Sequence, residues 1–313
     1  MEHHSKKHPG DDNTLRILMV GNSFCYYYVE ELYGLFMANP APNRGYSEVQ
    51  IYNLYYTGCS LTRHYGWWTE NTGEYQLYKT DANGRVELEP SKQWTLENAL
   101  IQEKWDYISL QGTVKGGNYS KDDPALLTAS IKEVAIPLLD RFRQLHPYAQ
   151  LLWHRTWPFE IGRISGSISY TADMLEKYNA GMQAVCERIC SDLHNDYGLR
   201  MINSGAAWAE ARKQNAKLET SLIPHGGLCA RLGVSNAKTF TGAQNGEENA
   251  GDGYHDGDIG GGQFLNACVW YEAITGQSCL ENPYKPDLTN GKYTLSDAFA
   301  ALLRRAAHSI TQN

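Results

Sequence analysis

Short apolar runs alternate with longer segments of helical spacing along this chain of 313 residues. The runs have the length of buried strands, and the longer segments repeat apolar positions every three or four residues. Strands that alternate with helices favour a parallel sheet covered on both faces. We therefore predict a doubly wound α/β fold with a flavodoxin-like, five-stranded parallel sheet flanked by helices. The predicted strands span 15–20, 48–55, 106–110, 149–154 and 199–203, and the predicted helices span 26–38, 125–144, 172–194, 262–275 and 295–310, the last one capped by Ser296.

The domain organisation follows from the length of the chain and of its connections. A chain of this size can bury about three quarters of its unfolded surface, so one large core is possible. We predict a single domain over residues 14–313, although the length alone is also compatible with two domains. Three connections, near 66–98, 155–171 and 223–251, are too long for simple turns and are predicted to be loop insertions. Residues 1–13 are polar and typical of a disordered or tag-like terminus.

The composition excludes several functional classes. Hydrophobic residues make up 42% of the chain and aromatic residues 12%, which is typical of a folded protein and not of a disordered one. The net charge is −7 and no basic run occurs, so we expect no nucleic-acid partner. No apolar stretch approaches the ~18 residues of a membrane-spanning helix, so no membrane span is predicted.

The polar N-terminus lacks the apolar segment of a signal peptide. A polar start placed directly before the first strand fits an exported enzyme whose signal peptide has been removed. We therefore expect a periplasmic or secreted protein, and a cytoplasmic protein is the alternative.

The cysteines show no spacing typical of a metal site, so no metal is expected. We interpret them as small buried hydrophobic residues. A loop pairing such as Cys229–Cys279 is the alternative in an oxidising compartment. The chain has seven of them, at positions 25, 59, 186, 190, 229, 268 and 279.

The residues that could carry chemistry fall at the ends of predicted strands. Ser23 follows the first strand in Gly21-Asn22-Ser23-Phe24, where a sharp turn would present its hydroxyl and its backbone N–H. Gly58, Gln111 and the segment 154–158 follow three other predicted strands. Ligands of such sheets bind at the carboxyl ends of the strands, so we expect these residues to lie close together.

An acid and a histidine lie three residues apart in the Gly-rich loop Asp252-Gly253-Tyr254-His255. A serine hydroxyl needs a base to take its proton, and the pKa of histidine suits that role. A carboxylate then orients the histidine. We assign Ser23 as the nucleophile, His255 as the base and Asp252 as the orienting acid. Asp256 and Asp258 are rivals for the role of the acid.

These motifs resemble the conserved blocks of the SGNH hydrolase superfamily, also called GDSL esterases. The segment GNSF is similar to the first block, with Asn22 where the usual motif has Asp, and DGYH is similar to the last block. Tyr56–Leu61 (YTGCSL) resembles the second block, and Gln111 stands where the third block, GxND, has its Asn. Together with LLWHRTWPF and FLNACVWYEAITG, the order of these motifs is most similar to the DUF4886 subfamily.

The resemblance implies a Ser-His-Asp esterase that needs no cofactor. It also implies an oxyanion hole built from the N–H groups of Ser23 and Gly58, to which the Gln111 amide would add a third donor. Aromatic residues are frequent near the expected site, and aromatic faces can stack on sugar rings. The weaker candidates for substrate binding are Asn22, Trp67, Trp157, His64 and His154.

Our leading hypothesis is a serine esterase that removes small acyl groups from carbohydrate, and acetyl is the acyl group that we expect. The expected partner is a small-molecule or carbohydrate ester, and the sequence leaves the oligomeric state open. One alternative is a lipase or thioesterase, which would need a wide apolar groove. Another is a catalytically dead carbohydrate-binding protein on the same fold, which the altered third block would favour.

Overall fold

A computed structural model describes residues 13–39, 46–90, 93–112, 123–165, 168–235, 249–287 and 295–312. The predicted disordered terminus, 1–13, lies outside the described residues except for its last position. The described strands form one seven-stranded sheet and two small two-stranded sheets. The strands are β1 (Thr14–Gly21), β2 (Glu48–Tyr55), β3 (Gln76–Thr80), β4 (Val86–Leu88), β5 (Tyr107–Gln111), β6 (Gln150–Arg155), β7 (Ile164–Ser165), β8 (Ile168–Ser169), β9 (Arg200–Asn203), β10 (Arg231–Ser235) and β11 (Ala250–Gly251).

The helices begin and end close to the predicted boundaries where the apolar pattern is strong. The last helix starts after Ser296, whose hydroxyl accepts a hydrogen bond from the N–H of Phe299 at 3.2 Å, as predicted for its cap. The helices are α1 (Val29–Ala38), α2 (Leu61–Thr69), α3 (Leu96–Leu100), α4 (Pro124–Leu145), α5 (Ala172–Tyr197), α6 (Ser204–Asn215), α7 (Gly262–Thr275) and α8 (Asp297–Thr311).

The five predicted strands form the parallel part of the main sheet, in the order β2-β1-β5-β6-β9. This is the flavodoxin-like order, so the predicted doubly wound α/β fold is confirmed. The prediction of five strands was incomplete, because β3 and β4 extend the β2 edge in antiparallel orientation. Both come from the segment 66–98, which was predicted to be a loop insertion.

The sheet separates two apolar cores because successive side chains of a strand point to opposite faces. In β1, Ile17 and Met19 pack into one core, whereas Leu18 and Val20 pack into the other. Helices α1, α6, α7 and α8 cover the first face, and α2, α3, α4 and α5 cover the second. The parallel strands β1, β2 and β5 end at Gly21, Tyr55 and Gln111, so the candidate residues that follow them lie along one edge of the sheet.

The expectations for membrane-spanning helices, metal sites and disulfide bonds can be compared with the described residues. None of the described helices is both long enough and apolar enough to cross a bilayer. No group of three metal-ligating side chains lies together within the described ranges. All seven cysteines are free thiols, so the alternative pairing Cys229–Cys279 is not formed.

Candidate active site

Ser23 lies where β1 ends, on a sharp turn at the carboxyl edge of the sheet. It opens a single 3₁₀ turn, Ser23–Cys25, and the Asn22 side chain caps that turn by accepting from the N–H of Phe24 at 3.0 Å. Gly21 is required before the turn, because a Cβ there would lie 2.5 Å from Gln111 Oε1 and 2.6 Å from Cys25 Sγ. Because glycine has no Cβ, the Gln111 side chain can lie against the backbone at the end of β1.

Asn22 joins the ends of three strands. Its N–H donates to Gln111 Oε1 at 3.2 Å, and its Oδ1 accepts from Gln111 Nε2 at 2.8 Å. Its Nδ2 donates to the carbonyl oxygen of Cys59 at 2.9 Å. Because both ends of this buried amide are occupied, Asn22 holds the serine turn against the Gly58 loop. The prediction that Asn22 binds substrate therefore needs correction.

Gln111, the last residue of β5, supports the turn through the same contacts. Both terminal atoms of its amide bond to Asn22, and the side chain is 3% exposed. The sequence predicted that this amide donates to the oxyanion. The geometry favours a positioning role instead, with Gln111 acting on Ser23 through Asn22.

We expect Gln111→Ala to lower both the thermal stability and kcat of the protein. The substitution leaves the Asn22 N–H and Oδ1 without these partners, which typically costs about 1–3 kcal/mol of unfolding free energy. It also loosens the turn that carries Ser23. Melting curves and esterase kinetics on the same preparation measure both effects. A fall of about 10²–10³ in kcat with an unchanged melting temperature would instead identify an oxyanion donor.

Gly58 lies in the loop that follows β2, opposite the serine turn. It occupies the third position of a β-turn closed by the Cys59 N–H and the Tyr56 carbonyl at 3.1 Å. Its φ of +62° is the left-handed conformation that glycine adopts without strain. Within the described residues, neither the Gly58 N–H nor the Ser23 N–H makes a hydrogen bond. The described fold therefore does not use either donor.

Asp252 and His255 form the closest polar contact of the site. The Asp252 Oδ2 and the His255 Nδ1 are 2.7 Å apart, and Asp252 Oδ1 accepts the backbone N–H groups of Tyr254 and His255 at 3.1 and 3.0 Å. The carboxylate thus fixes both the loop backbone and the imidazole. Burial alone would raise the pKa of Asp252, but these hydrogen bonds outweigh it and hold the pKa below its usual range.

The imidazole of His255 is enclosed by three aromatic rings. The ring centres of Tyr254, Tyr27 and Phe24 lie 3.9, 5.2 and 5.7 Å from that of His255. Two of these rings belong to the segment that contains Ser23, so the imidazole lies beside the serine turn. Its Nε2 is buried and has no hydrogen-bond partner among the described residues, and no hydrogen bond joins it to Ser23. Such contacts are often longer without substrate than in the reacting complex.

The insertion at 155–171 anchors the loop that carries Asp252 and His255. The indole N–H of Trp157 donates to the Tyr254 carbonyl at 2.9 Å, and the N–H of Glu160 donates to the Gly253 carbonyl at 2.8 Å. Glu160 in turn pairs with Arg212 at 2.9 Å. These anchoring roles were not predicted from the sequence, because they depend on contacts between segments about 95 residues apart.

The family assignment agrees with this geometry. The family model described as "Domain of unknown function (DUF4886)" matches residues 16–226 and 221–309. The chain belongs to the DUF4886 family. This confirms the resemblance to DUF4886 that was stated from the sequence. The segments GNSF and YTGCSL come directly after or at the ends of β1 and β2, and Gln111 is the last residue of β5.

Solved structures similar to this DUF4886 chain fall into two groups. A DUF4886 family protein from Bacteroides uniformis is 25% identical and has a TM-score of 0.69 over 96% of this chain and 95% of its own. Two other structures are more distant. An acetylxylan esterase from Geobacillus stearothermophilus is 14% identical, with a TM-score of 0.38 over 64% of this chain and 80% of its own. A phospholipase A1 from Streptomyces albidoflavus is 10% identical, with a TM-score of 0.42 over 83% of this chain and 98% of its own. No curated protein matches the chain.

Three of the predicted substrate-binding residues lie in the interior of the DUF4886 chain, where a ligand cannot reach them. Trp157 is 1% exposed and stacks on Trp208 at 4.9 Å. His64 and His154 are likewise buried, and burial lowers the pKa of each to about 3, so both are neutral. Trp67, the remaining candidate, is half-buried and packs against Tyr56 at 4.9 Å.

The rival acids of this DUF4886 site are engaged elsewhere. Asp258 accepts the backbone N–H groups of Leu232 and Ile259 at 2.9 and 2.7 Å. Asp256 is fully buried, and its Oδ2 accepts from Asn266 at 3.1 Å. Neither carboxylate contacts His255, so the geometry favours Asp252 as its partner.

The buried Asp256 should make the stability of the DUF4886 chain depend on pH. Burial raises the pKa of Asp256 to about 7, and the hydrogen bond from Asn266 offsets only part of that shift. Since the folded pKa exceeds the unfolded value of about 3.9, the stabilising contribution is complete below about pH 4 and is lost as the pH rises through 7. We expect Asp256→Asn to raise the melting temperature relative to wild type more at pH 8 than at pH 4.5. An equal difference at both pH values would contradict this assignment.

Proposed function

We propose that this protein is a serine esterase that releases small acyl groups, acetyl in particular, from carbohydrate. The observation that supports it most is the His255 imidazole, held by Asp252 at 2.7 Å with its Nε2 unpartnered among the described residues and close to the serine turn. A neutral imidazole held through Nδ1 presents Nε2 as a proton acceptor. That is the group that a serine nucleophile needs.

The reaction would proceed in two acyl-transfer steps. His255 Nε2 takes the Ser23 hydroxyl proton while Oγ bonds to the ester carbonyl carbon, and the N–H groups of Ser23 and Gly58 stabilise the oxyanion. The carbon–oxygen bond to the sugar then breaks, and His255 gives its proton to the departing alcohol oxygen. Water, deprotonated by His255, attacks the acyl-enzyme, and the acid leaves as Ser23 regains its proton.

The surroundings of His255 favour a small acyl group over a long one. The half-buried rings of Phe24, Tyr27 and Tyr254 lie around the imidazole, and arginines stack on two of these rings. A long acyl chain would need a continuous apolar groove, whereas aromatic rings with polar edges suit sugars. The residue that alters the third block, Gln111, bonds to Asn22 on the serine turn, which is compatible with an active enzyme.

Paired assays with p-nitrophenyl acetate and p-nitrophenyl palmitate test the proposal. We expect wild type to hydrolyse the acetate much faster than the palmitate, and the Ser23→Ala variant to hydrolyse neither above background. Preference for palmitate would favour a lipase. No hydrolysis of either ester by a folded protein would favour the carbohydrate-binding alternative.

A further inference from the structure

Two guanidinium groups lie beside the candidate base, each separated from it by one aromatic ring. The Arg231 Cζ is 4.3 Å from the centre of the Tyr27 ring, and that ring packs edge-on against His255 at 5.2 Å. The Arg163 Cζ is 4.5 Å from the Tyr254 ring centre, and that ring lies 3.9 Å from His255. Two positive charges therefore lie near the site, each behind an aromatic ring that contacts His255.

Arg231 makes no ion pair within the described ranges, in contrast to four other arginines of the fold. Arg16, Arg141, Arg188 and Arg212 each contact a carboxylate. Cation–π attraction to the Tyr27 ring stabilises the Arg231 guanidinium, and the Tyr27 hydroxyl also forms a hydrogen bond with it. A guanidinium carries five N–H donors, so other donors remain for a ligand.

The buried carboxyl of Asp256 does not account for the position of Arg231. The two charges attract each other, but Asp256 takes its hydrogen bond from Asn266 at 3.1 Å, and its other oxygen has no partner. Arg231 makes no direct hydrogen bond to that carboxylate. The main chain of Arg231 is held separately, because its N–H donates to the Asn249 carbonyl at 3.0 Å.

A further arginine lies on the opposite loop, beyond the candidate oxyanion donor Gly58. Arg63 belongs to the first turn of α2 and is exposed, with its Cζ 5.5 Å from the Tyr56 ring centre and 5.8 Å from that of Trp67. It has the same arrangement as Arg231, a guanidinium on a tyrosine near the site. The repeated arrangement gives the site cationic groups on both of its loops, although the whole chain has a net charge of −7.

We propose that Arg231 binds an anionic group on the sugar, so that the preferred substrates are acyl esters of acidic saccharides. This inference rests on the proposed esterase function and adds the class of the alcohol. The planar fork of a guanidinium matches the oxygen atoms of a carboxylate or a sulfate, which it binds with paired N–H donors. The negative net charge of the whole protein would repel an anionic substrate at long range, so the attraction must come from arginines close to the site.

A matched set of substrates tests the charge preference. It consists of monoacetylated methyl glucoside, the corresponding glucuronic acid glycoside and the corresponding sulfate ester, which share the acetyl group and the ring. We expect kcat/KM to be about tenfold higher for the anionic substrates at low salt, which corresponds to about 1.4 kcal/mol. The advantage should shrink as salt is added, because salt screens partly exposed charges. The anionic substrate with the higher kcat/KM shows whether the site prefers a carboxylate or a sulfate. Equal kcat/KM values for all three substrates would overturn the inference.

Variants of Arg231 connect the preference to one side chain. Arg231→Gln should reduce the ratio of anionic to neutral kcat/KM to about one, and Arg231→Lys should retain part of it. The matched control is Arg188→Gln, an exposed arginine on α5, which should keep the wild-type ratio. A wild-type ratio in Arg231→Gln would overturn the inference, whereas the absolute rates of these variants do not bear on it.

Binding distinguishes a failure of this inference from a failure of the esterase proposal. Calorimetry with Ser23→Ala and the unacetylated methyl glucuronide measures recognition of the anion without turnover. We expect binding that weakens about tenfold in the Ser23→Ala/Arg231→Gln double variant, with methyl glucoside as the neutral reference. Hydrolysis without this difference would overturn the anion site alone. Binding of the anion without hydrolysis of any ester would support the anion site and overturn the esterase.

Discussion

Replacing Ser23 with alanine is expected to abolish ester hydrolysis, with a loss of kcat on the order of 10⁴–10⁶-fold. Ser23 lies on the turn at the end of β1, and the ring of its neighbour Phe24 lies 5.7 Å from that of His255. Removing the Ser23 hydroxyl removes the atom that forms the acyl-enzyme, while the turn keeps its cap from Asn22. The melting temperature should therefore stay near that of wild type.

The matched control for this variant is Ser130→Ala, which alters an exposed serine on α4 and should leave activity unchanged. Cys25, the neighbouring thiol, cannot replace the serine. It is 1% exposed, and burial raises its pKa to about 12, so the reactive thiolate is absent at neutral pH. Turnover by a folded Ser23→Ala protein at the wild-type rate would exclude the serine mechanism.

Replacing His255 with alanine should be almost as damaging as replacing Ser23, because the hydroxyl is a poor nucleophile without a base. The Ser23→Ala/His255→Ala double variant should be little worse than either single variant, since the two groups act as one unit. Steady-state kinetics on the three variants measure this coupling. Losses that multiply in the double variant would show that the two residues act independently.

The carboxylate should matter less than the base it orients. Asp252→Asn keeps the loop geometry but favours the wrong tautomer of His255, which can cost up to about 10⁴-fold in kcat. His194→Ala, an exposed histidine on α5, is the control for general effects of histidine removal. If Asp256→Asn or Asp258→Asn proved more harmful to kcat than Asp252→Asn, the assignment of the acid would be wrong.

The parallel strands could be predicted from the sequence because they are buried on both faces and appear as continuous apolar runs. The predicted boundaries of β1 and β2 agree with the structure to within one residue. Strands β3 and β4 could not be predicted in the same way. They lie at the edge of the sheet and contain exposed polar residues such as Gln76 and Glu87, so no apolar run identifies them.

The residues of the site could be predicted in position but not always in role. The predicted strand ends indicated that Ser23, Gly58 and Gln111 lie close together, and Asn22 connects their segments through Gln111 and the Cys59 carbonyl. The role of Gln111 depends on the pairing of β1 with β5, which brings its amide to Asn22. Burial of His64, His154 and Trp157 likewise results from tertiary packing, which a single sequence does not specify.

Labelling with a fluorophosphonate tests the central claim most directly, because this reagent reacts preferentially with an activated serine. The protein is treated, digested and examined by peptide mass spectrometry, with Ser23→Ala and His255→Ala treated in parallel. The account predicts one label per chain, attached to Ser23, together with loss of esterase activity, no label in Ser23→Ala and strongly reduced labelling in His255→Ala. A label on another residue, or full esterase activity without a label on Ser23, would contradict it.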